Sequence, residues 1–377
     1  MINNIVANEN WTILLSMFPK NWKMLAKSTK AFTRKFRSFE SEESVLKALL
    51  LHIAGGYSLR ETVARLKCAK IADISDVALL KRLQCSELWL KELCLSLFEE
   101  RSLSKTCEDS VIRMRLVDGT NVKEPGKTGS LWKIHYSMTL PDLSCDYFKI
   151  TSDTGKGVGE SFKQFPVKKG DCIIGDRGYS TSQGINYLDS KGAYALVRVN
   201  TSTLNFQNQD GSKFLLLNQL DCLKEEGSVK EWEVSLINEG RLIAGRVCVV
   251  RKSKTATAQS IKKLKRIRSK NQTKFKNETL EFAKYTIIFT TLPSIKYPLE
   301  AILEWYRYRW QIELIFKRLK SLAGLGHLPK HDETSSRAWL YGKLLTGLLI
   351  EKLISQSKNI SPWGFVEQKN TKQLERV

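Results

Sequence analysis

Three carboxylates occupy positions from which phosphodiester chemistry can be run. Asp118 closes a strand-like run in Val117-Asp118-Gly119-Thr120, and Asp176 ends a short apolar run in Gly175-Asp176-Arg177-Gly178-Tyr179. Glu313 lies in a stretch crowded with aromatic residues and arginine, from Glu304 to Glu313. Carboxylates at neighbouring strand ends can share two divalent cations, which hard oxygen ligands suit. Such a site activates a water or hydroxyl and stabilises the leaving oxygen of a phosphodiester. Structural readings compete at each position taken singly. Asp-Gly after a strand is a common hairpin turn, and an acid at a strand end is often only a helix N-cap.

Around Glu313 the spacing adds information. Tyr306, Arg309, Glu313 and Lys320 are separated by 3, 4 and 7 residues, so at about 100° per residue they fall on one stripe of a single helix. Trp305, Ile312, Phe316 and Leu319 would form the adjoining apolar face. A surface Arg–Glu pair followed by a basic helix end is the plain alternative. It leaves unexplained why a tyrosine and two cations flank one acid so closely. His135, on a predicted strand, could approach the same site, although a structural histidine is the simpler reading. The glycines from Gly155 to Gly159 lack the Gly-Lys-Ser/Thr ending of a nucleotide P-loop and read as a loop.

These residues need elements to hold them. Residues 1–105 read as helical, with Ser58-Leu59-Arg60-Glu61 as a capping box and a further helix start at Ser75 or Asp76. The pair suggests a helix-turn-helix unit with an overlong connection. Lys20, Lys23, Lys27, Lys30, Arg34 and Arg37 recur at helical spacing and would make one cationic stripe. From about residue 110 the period becomes two: Ile112, Met114 and Leu116 alternate with Arg113 and Arg115. Strands are predicted over 133–140, 146–152 and 172–175. A helix over 181–191 and a strand over 193–199 complete a β-α-β unit and imply a parallel pair. Residues 200–282 interrupt the pattern with strand-like runs at 214–217, 229–236 and 243–251. Between Arg251 and Lys276 there are eleven Lys or Arg and no acid. A strand over 286–290 and a long helix from Pro298 follow.

Charge narrows the partner. The chain has 377 residues with 61 Lys or Arg against 39 Asp or Glu, a formal net charge of +22. That excess calls for a polyanion, nucleic acid or an anionic membrane surface. The longest apolar stretch, Leu344 to Ile354, is broken by Glu351 and Lys352 and is too short to span a bilayer. Eight cysteines with no Cys-x-x-Cys pair, and only four histidines, argue against a zinc site and for reduced thiols in a cytoplasmic protein.

With Asp118 in Val-Asp-Gly-Thr, Asp176 in Gly-Asp-Arg-Gly-Tyr, and Tyr-x2-Arg-x3-Glu-x6-Lys matched at Tyr306, Arg309, Glu313 and Lys320, the chain resembles a bacterial DDE transposase of the insertion sequence 4 type over roughly residues 40–350. The resemblance implies an α/β fold: an RNase H-like catalytic core, a β-rich insertion domain and a helical N-terminal DNA-binding region. The corresponding segments are 1–105 for DNA-end binding, 106–199 and 283–355 for the core, 200–282 for the insertion with its basic segment, and a tail at 356–377. It further implies an enzyme that binds the terminal inverted repeats of its own element, cuts the DNA there and joins the ends to target DNA. A homodimer in a synaptic complex, acting on double-stranded DNA at the bacterial nucleoid with no membrane partner, would do this. Asp118, Asp176 and Glu313 would ligate two Mg2+ ions, with Mn2+ as a substitute. Tyr306, Arg309 and Lys320 would hold phosphates, contacts that position rather than specify. Lys262, Lys263, Lys265 and Arg266 in the basic segment would add backbone contacts. Relatives that form a DNA hairpin place a Trp just before the strand that precedes Thr-x-x-Pro. This chain has Lys284-Tyr285-Thr286 there, and Tyr285 is either a stacking platform or the first residue of a core strand. A DNA-binding regulator or inactivated remnant, and an RNase H-like nuclease of another lineage, are the competing readings.

Overall fold

The β1 strand, Arg113–Lys123, follows the predicted period, yet the arginines in it do not all face water. Arg115 is 1% exposed, paired with Asp146 at 2.7 Å and with Asp171 at 3.2 Å. A buried guanidinium is tolerated only when such partners surround it. Alternation located the strand, and the burial of Arg115 follows from its carboxylate partners.

The computed structural model describes residues 10–32, 38–103, 112–123, 130–152, 159–272, 277–326, 328–329 and 332–358. The chain divides into two compact units. The first comprises Met1–Cys107, Asn121–Trp132 and Phe316–Val377; the second comprises Glu108–Thr120 and Lys133–Ile315.

The first unit is built on helices. Those named here are α1 (Trp22–Ser28), α2 (Glu42–Ile53), α3 (Leu59–Cys68), α4 (Asp76–Cys85), α5 (Glu87–Leu103) and the long C-terminal α12 (Glu333–Lys358). Ser58 and Ser75 cap α3 and α4 by accepting from the backbone N–H of Glu61 and Ala78, as the sequence predicts. Helix α12 packs against α2, α4 and α5, with Leu46, Leu49, Leu79, Leu93, Leu340 and Leu345 in the core. Arg337 pairs with Glu87 at 2.7 Å and Lys352 with Glu100 at 2.9 Å. The proposed stripe from Lys20 is not one helix. Helix α1 stops at Ser28, and Lys30 has a left-handed φ of 53°. Arg34 and Arg37 lie outside the described residues.

The second unit carries one nine-stranded sheet in the order β3-β2-β1-β4-β5-β9-β8-β7-β6. Its strands are β1, β2 (Ser130–Thr139), β3 (Ser144–Ser152), β4 (Asp171–Gly175), β5 (Tyr194–Arg198), β6 (Phe206–Gln207), β7 (Val229–Asn238), β8 (Arg241–Arg251) and β9 (Tyr285–Thr290). Strand β4 pairs in parallel with both β1 and β5, and α6 (Ser182–Ser190) makes the crossover between β4 and β5. Order 3-2-1-4-5 with this crossover is the RNase H-like core that the resemblance implies. The insertion strands do not form a separate sheet: β8 pairs antiparallel with β9 and extends the core sheet through β7 to β6. The β7–β8 hairpin closes on Glu239 and Gly240, both at positive φ (52° and 76°), the two-residue turn whose twist suits paired strands. The strand expected at 214–217 is instead a short helix, α7 (Leu216–Gln219). The basic segment is α8 (Lys254–Asn271), capped by Ser253. Next come α9 (Asn277–Phe282), then α10 (Leu299–Arg307) and α11 (Trp310–Ser321). Among the described residues no helix is long and apolar enough to cross a membrane.

Candidate active site

Register brings the first two acids together. Leu116 on β1 is the partner of Ile174 on β4, so two residues on, Asp118 and Asp176 lie side by side; Asp176 follows the end of β4, but Asp118 does not close its strand as the sequence suggests, since β1 runs on to Lys123. Each side chain is steadied by its own backbone. Asp118 accepts from the Gly119 N–H at 2.7 Å. Asp176 accepts from the Gly178 N–H at 2.8 Å and so also serves as the N-cap of a short 3-10 turn. Burial pushes Asp118 up to about 7, partly offset by the Gly119 hydrogen bond, with the charges of Asp176 and Glu160 adding to the rise. A buried carboxylate raised in this way beside a second acid is short of positive charge, the state of a site that takes a cation.

Glu313 is held differently. It is exposed and its carboxylate accepts from the Arg309 guanidinium. Arg309 is close enough to Asp118 for the two charges to interact. Burial disfavours the Arg309 charge, but the Glu313 hydrogen bond together with the charges of Tyr306, Glu313 and Asp118 more than offsets it and keeps the guanidinium firmly protonated. Thus Asp118, Asp176, Arg309 and Tyr306 share one neighbourhood, with Glu313 tethered to it through Arg309. Among the described residues no three His, Cys, Asp or Glu side chains converge on a single cation position.

The expected single stripe is broken. Helix α10 ends at Arg307 and α11 begins at Trp310. Across the junction the N–H groups of Tyr308, Arg309 and Gln311 reach back only three residues, to Trp305, Tyr306 and Tyr308. These tighter turns re-aim the chain between Tyr306 and Glu313. Burial pushes the Tyr306 hydroxyl up to about 12 despite the nearby Arg309 and Arg198. Lys320 stands exposed on α11, within the first unit. Lys262, Lys263, Lys265 and Arg266 are exposed along α8. Tyr285 is 7% exposed and packs in the core of the second unit, its hydroxyl donating to the Leu220 carbonyl at 3.4 Å. It is a core residue, not a free stacking platform. His135 is buried, bonded to Thr151 at 3.1 Å, and burial lowers it to about 4. It is a neutral structural histidine. Of the glycine loop, only Gly159 falls within the described residues.

Sequence reasoning missed three neighbours of Asp118. Glu160 accepts from Lys133 at 3.3 Å. A Cβ at position 178 would stand 1.7 Å from Glu160 Oε2, and one at 119 would stand 2.7 Å from Lys133 Cε, so a side chain at either position would push aside the flexible end of a residue beside Asp118. The Tyr179 hydroxyl is buried and has no hydrogen-bond partner among the described residues. Burial and the charges of Asp118, Glu160 and Asp176 raise it well above the ordinary tyrosine value. Only the tight Gly178 turn, with its Tyr, was available in sequence as a signal.

The comparisons decide the family. The domain described as the transposase DDE domain matches residues 152–349. The InsL transposase of insertion sequence element IS186A from Escherichia coli (strain K12) is 31% identical over 370 residues, covering 94% of this chain and 97% of the relative. The chain belongs to the DDE transposases of insertion sequences. The transposase of element IS231F from Bacillus thuringiensis subsp. israelensis is 24% identical over 382 residues, covering 91% of this chain and 79% of that relative. A solved synaptic complex of piggyBac transposase with hairpin DNA aligns with 92% of this chain and 73% of its own, at 8% identity and a TM-score of 0.44. The chain is therefore an insertion-sequence transposase of the insertion sequence 4 type, an enzyme that cleaves and transfers DNA. Enzymes of this family generally depend on divalent metal and act on DNA.

Proposed function

We propose that Asp118, Asp176 and Glu313 run the cleavage of the element's terminal inverted repeats and the joining of the freed 3′ ends to target DNA. The observation that carries this is the parallel β1–β4 register that sets Asp118 beside Asp176, with burial and the charges of Asp176 and Glu160 raising Asp118 in spite of Arg309. Asp118 and Asp176 fit a divalent cation as they stand, and Glu313 is the third ligand once it leaves Arg309. Bound Mg2+, two ions with Mn2+ as a substitute, would polarise the phosphodiester and lower the pKa of the attacking water or hydroxyl. In cleavage a water oxygen bonds to phosphorus and the 3′ oxygen leaves as a hydroxyl. In joining, that hydroxyl attacks a target phosphodiester in the same manner.

The other residues position the strand. A phosphate arriving at Arg309 competes with Glu313 for the guanidinium and releases the carboxylate toward the acids. Tyr306 and Lys320 add contacts to neighbouring phosphates, and Lys262, Lys263, Lys265 and Arg266 bind duplex backbone regardless of sequence. The working form is a homodimer that holds two element ends at the bacterial nucleoid. The test is a gel assay on a labelled duplex ending in the element's terminal repeat, with and without Mg2+. Wild type should nick only with the metal, and Asp176→Asn should bind without nicking. A protein that shifts the duplex and never nicks it would be the non-catalytic regulator or remnant.

A further inference from the structure

Glu160 is fixed as firmly as the two aspartates beside it, and all three belong to the second unit. Two residues on, Phe162 is fully buried and stacks on Tyr179, ring centroids 5.2 Å apart. Its ring lies 3.1 Å from where a Cβ of Gly175 would stand and 3.2 Å from one of Gly184, so β4 and α6 both make room for it. Ser161 caps the 3-10 turn Phe162–Gln164 by accepting from the Lys163 N–H at 3.3 Å. A core anchor and a cap leave Glu160 little freedom beyond its own side-chain torsions.

That side chain lands on the turn that carries Asp176. The position a Cβ of Gly178 would take is 1.7 Å from Glu160 Oε2 and 3.1 Å from Asp176 Oδ1, so the two oxygens are at most 4.8 Å apart. A Mg2+ ion bonded to oxygen at about 2.1 Å spans oxygens up to about 4.2 Å apart, and a small turn of the Glu160 side chain closes the difference. The other Glu160 oxygen is held by Lys133 at 3.3 Å, longer than the roughly 2.7–2.9 Å of a tight charge-assisted bond. Lys133 comes from β2, next to β1 in the sheet, and Glu160 is its only ion-pair partner among the described residues. The Tyr179 hydroxyl, fully buried and unpartnered among the described residues, points into the same place. It and Lys133 Nζ each stand 3.7 Å from the Cβ position of Gly119. A buried hydroxyl in that condition calls for an oxygen to donate to. The waters that a hydrated cation carries into a group of carboxylates supply one.

We propose that Glu160 is a further ligand of the divalent site, shared with Asp176, and that Lys133 is the counter-cation it exchanges for the metal. This rests on reading Asp118 and Asp176 as metal-binding acids. Before the metal binds, the ammonium neutralises a carboxylate that would otherwise repel its neighbours. A lysine suits that part because it is a point charge on a flexible stem and can withdraw. Glu160 then offers its charge from a rigid wall of the site, whereas Glu313 is tethered to Arg309. Tyr179 orients the water that the cation retains.

The test measures Mn2+ binding to full-length protein without DNA, read from the electron paramagnetic resonance signal of the free ion. The variants are Lys133→Met, Lys133→Met/Glu160→Gln, Lys133→Met/Glu160→Asp, and Asp118→Asn. The Met background removes the ammonium that Glu160→Gln alone would leave buried and unpaired, and circular dichroism establishes the folding of each. Lys133→Met should bind Mn2+ about tenfold tighter than wild type, because a neighbouring positive charge is gone. Glu160→Gln in that background should weaken binding by at least about tenfold relative to Lys133→Met. Glu160→Asp keeps the charge but, with Phe162 anchored, draws the carboxylate back, and it should lose as much. Lys133→Met with wild-type affinity would overturn the counter-cation. A double Gln variant that matches Lys133→Met would overturn the ligand. So would a double Asp variant that keeps the Lys133→Met affinity, since charge at a distance would then suffice. Asp118→Asn tests the underlying reading on its own. Wild-type Mn2+ binding by Asp118→Asn would sink the aspartate pair, whereas its loss, with binding intact in the Glu160 variants, would sink Glu160 alone.

Discussion

Replacing Asp118 by Asn should make the metal-free protein more stable, not less. In the folded chain burial and the charges of Asp176 and Glu160 raise this carboxyl from 3.8 to about 7. Three units correspond to about 4 kcal/mol at roughly 1.36 kcal/mol per unit. Solvent around a half-buried carboxylate screens much of this, leaving about 1–2 kcal/mol. Asn removes the charge and keeps the oxygen that accepts from the Gly119 N–H. The sign follows from the folded value lying above the unfolded one. Below pH about 4 the carboxyl is protonated in both states and costs nothing. The penalty grows from there to about pH 7 and is constant above it. At pH 8 without divalent ions, Asp118→Asn should melt about 2–4 °C above wild type, with the difference vanishing near pH 4. Adding Mn2+ should raise the wild type more than the variant, since only an intact ligand set gains from mass action. Differential scanning fluorimetry across pH measures all of this. A variant that melts below wild type at pH 8, or a difference that ignores pH, would refute the reasoning.

Three other outcomes follow from the same packing. Asp171 accepts from Arg113 at 2.7 and 2.8 Å, from Arg115 at 3.2 Å and from the Lys168 N–H at 3.0 Å; Asp171→Ala removes these bonds but leaves the buried Arg115 its pair with Asp146, and should cost about 1.5–3 kcal/mol by chemical denaturation. Tyr285→Phe loses one long hydrogen bond and should cost under about 1 kcal/mol, whereas Tyr285→Ala opens the core for about 3–5 kcal/mol; a folded, stable Tyr285→Ala protein impaired only in a late cleavage step would restore the stacking role. Replacing Lys262, Lys263, Lys265 and Arg266 together by Ala should weaken binding equally on element-end and unrelated duplexes and reduce the salt slope by up to about four, while a loss confined to the element end would mean that α8 reads bases.

Local rules found most of the elements, and failed where long-range contacts decide. Serines 58 and 75 announced their helices because capping is settled within three residues. The alternation at 112–117 located β1, but which arginine is buried depends on Asp146 and Asp171, which arrive from other strands. Residues 214–217 have strand-like side chains, and Phe214 does donate to the Phe206 carbonyl of β6 at 2.9 Å, but the pairing goes no further and Leu216–Gln219 turns helical. Tyr306, Arg309 and Glu313 were legible as a group because their spacing is a linear pattern. The break at Tyr308–Arg309, the Arg309–Glu313 pair and the presence of Glu160 beside Asp118 were not, since each follows from packing in the second unit.

The most direct measurement is Glu313→Gln in a gel assay that scores binding, nicking and joining on one labelled element end with Mg2+. The substitution keeps side-chain volume and helix propensity and removes the ligand charge. Electrostatic and metal terms dominate phosphoryl transfer, so binding should match wild type while nicking and joining fall by several orders of magnitude. Full nicking by Glu313→Gln would contradict the three-carboxylate site.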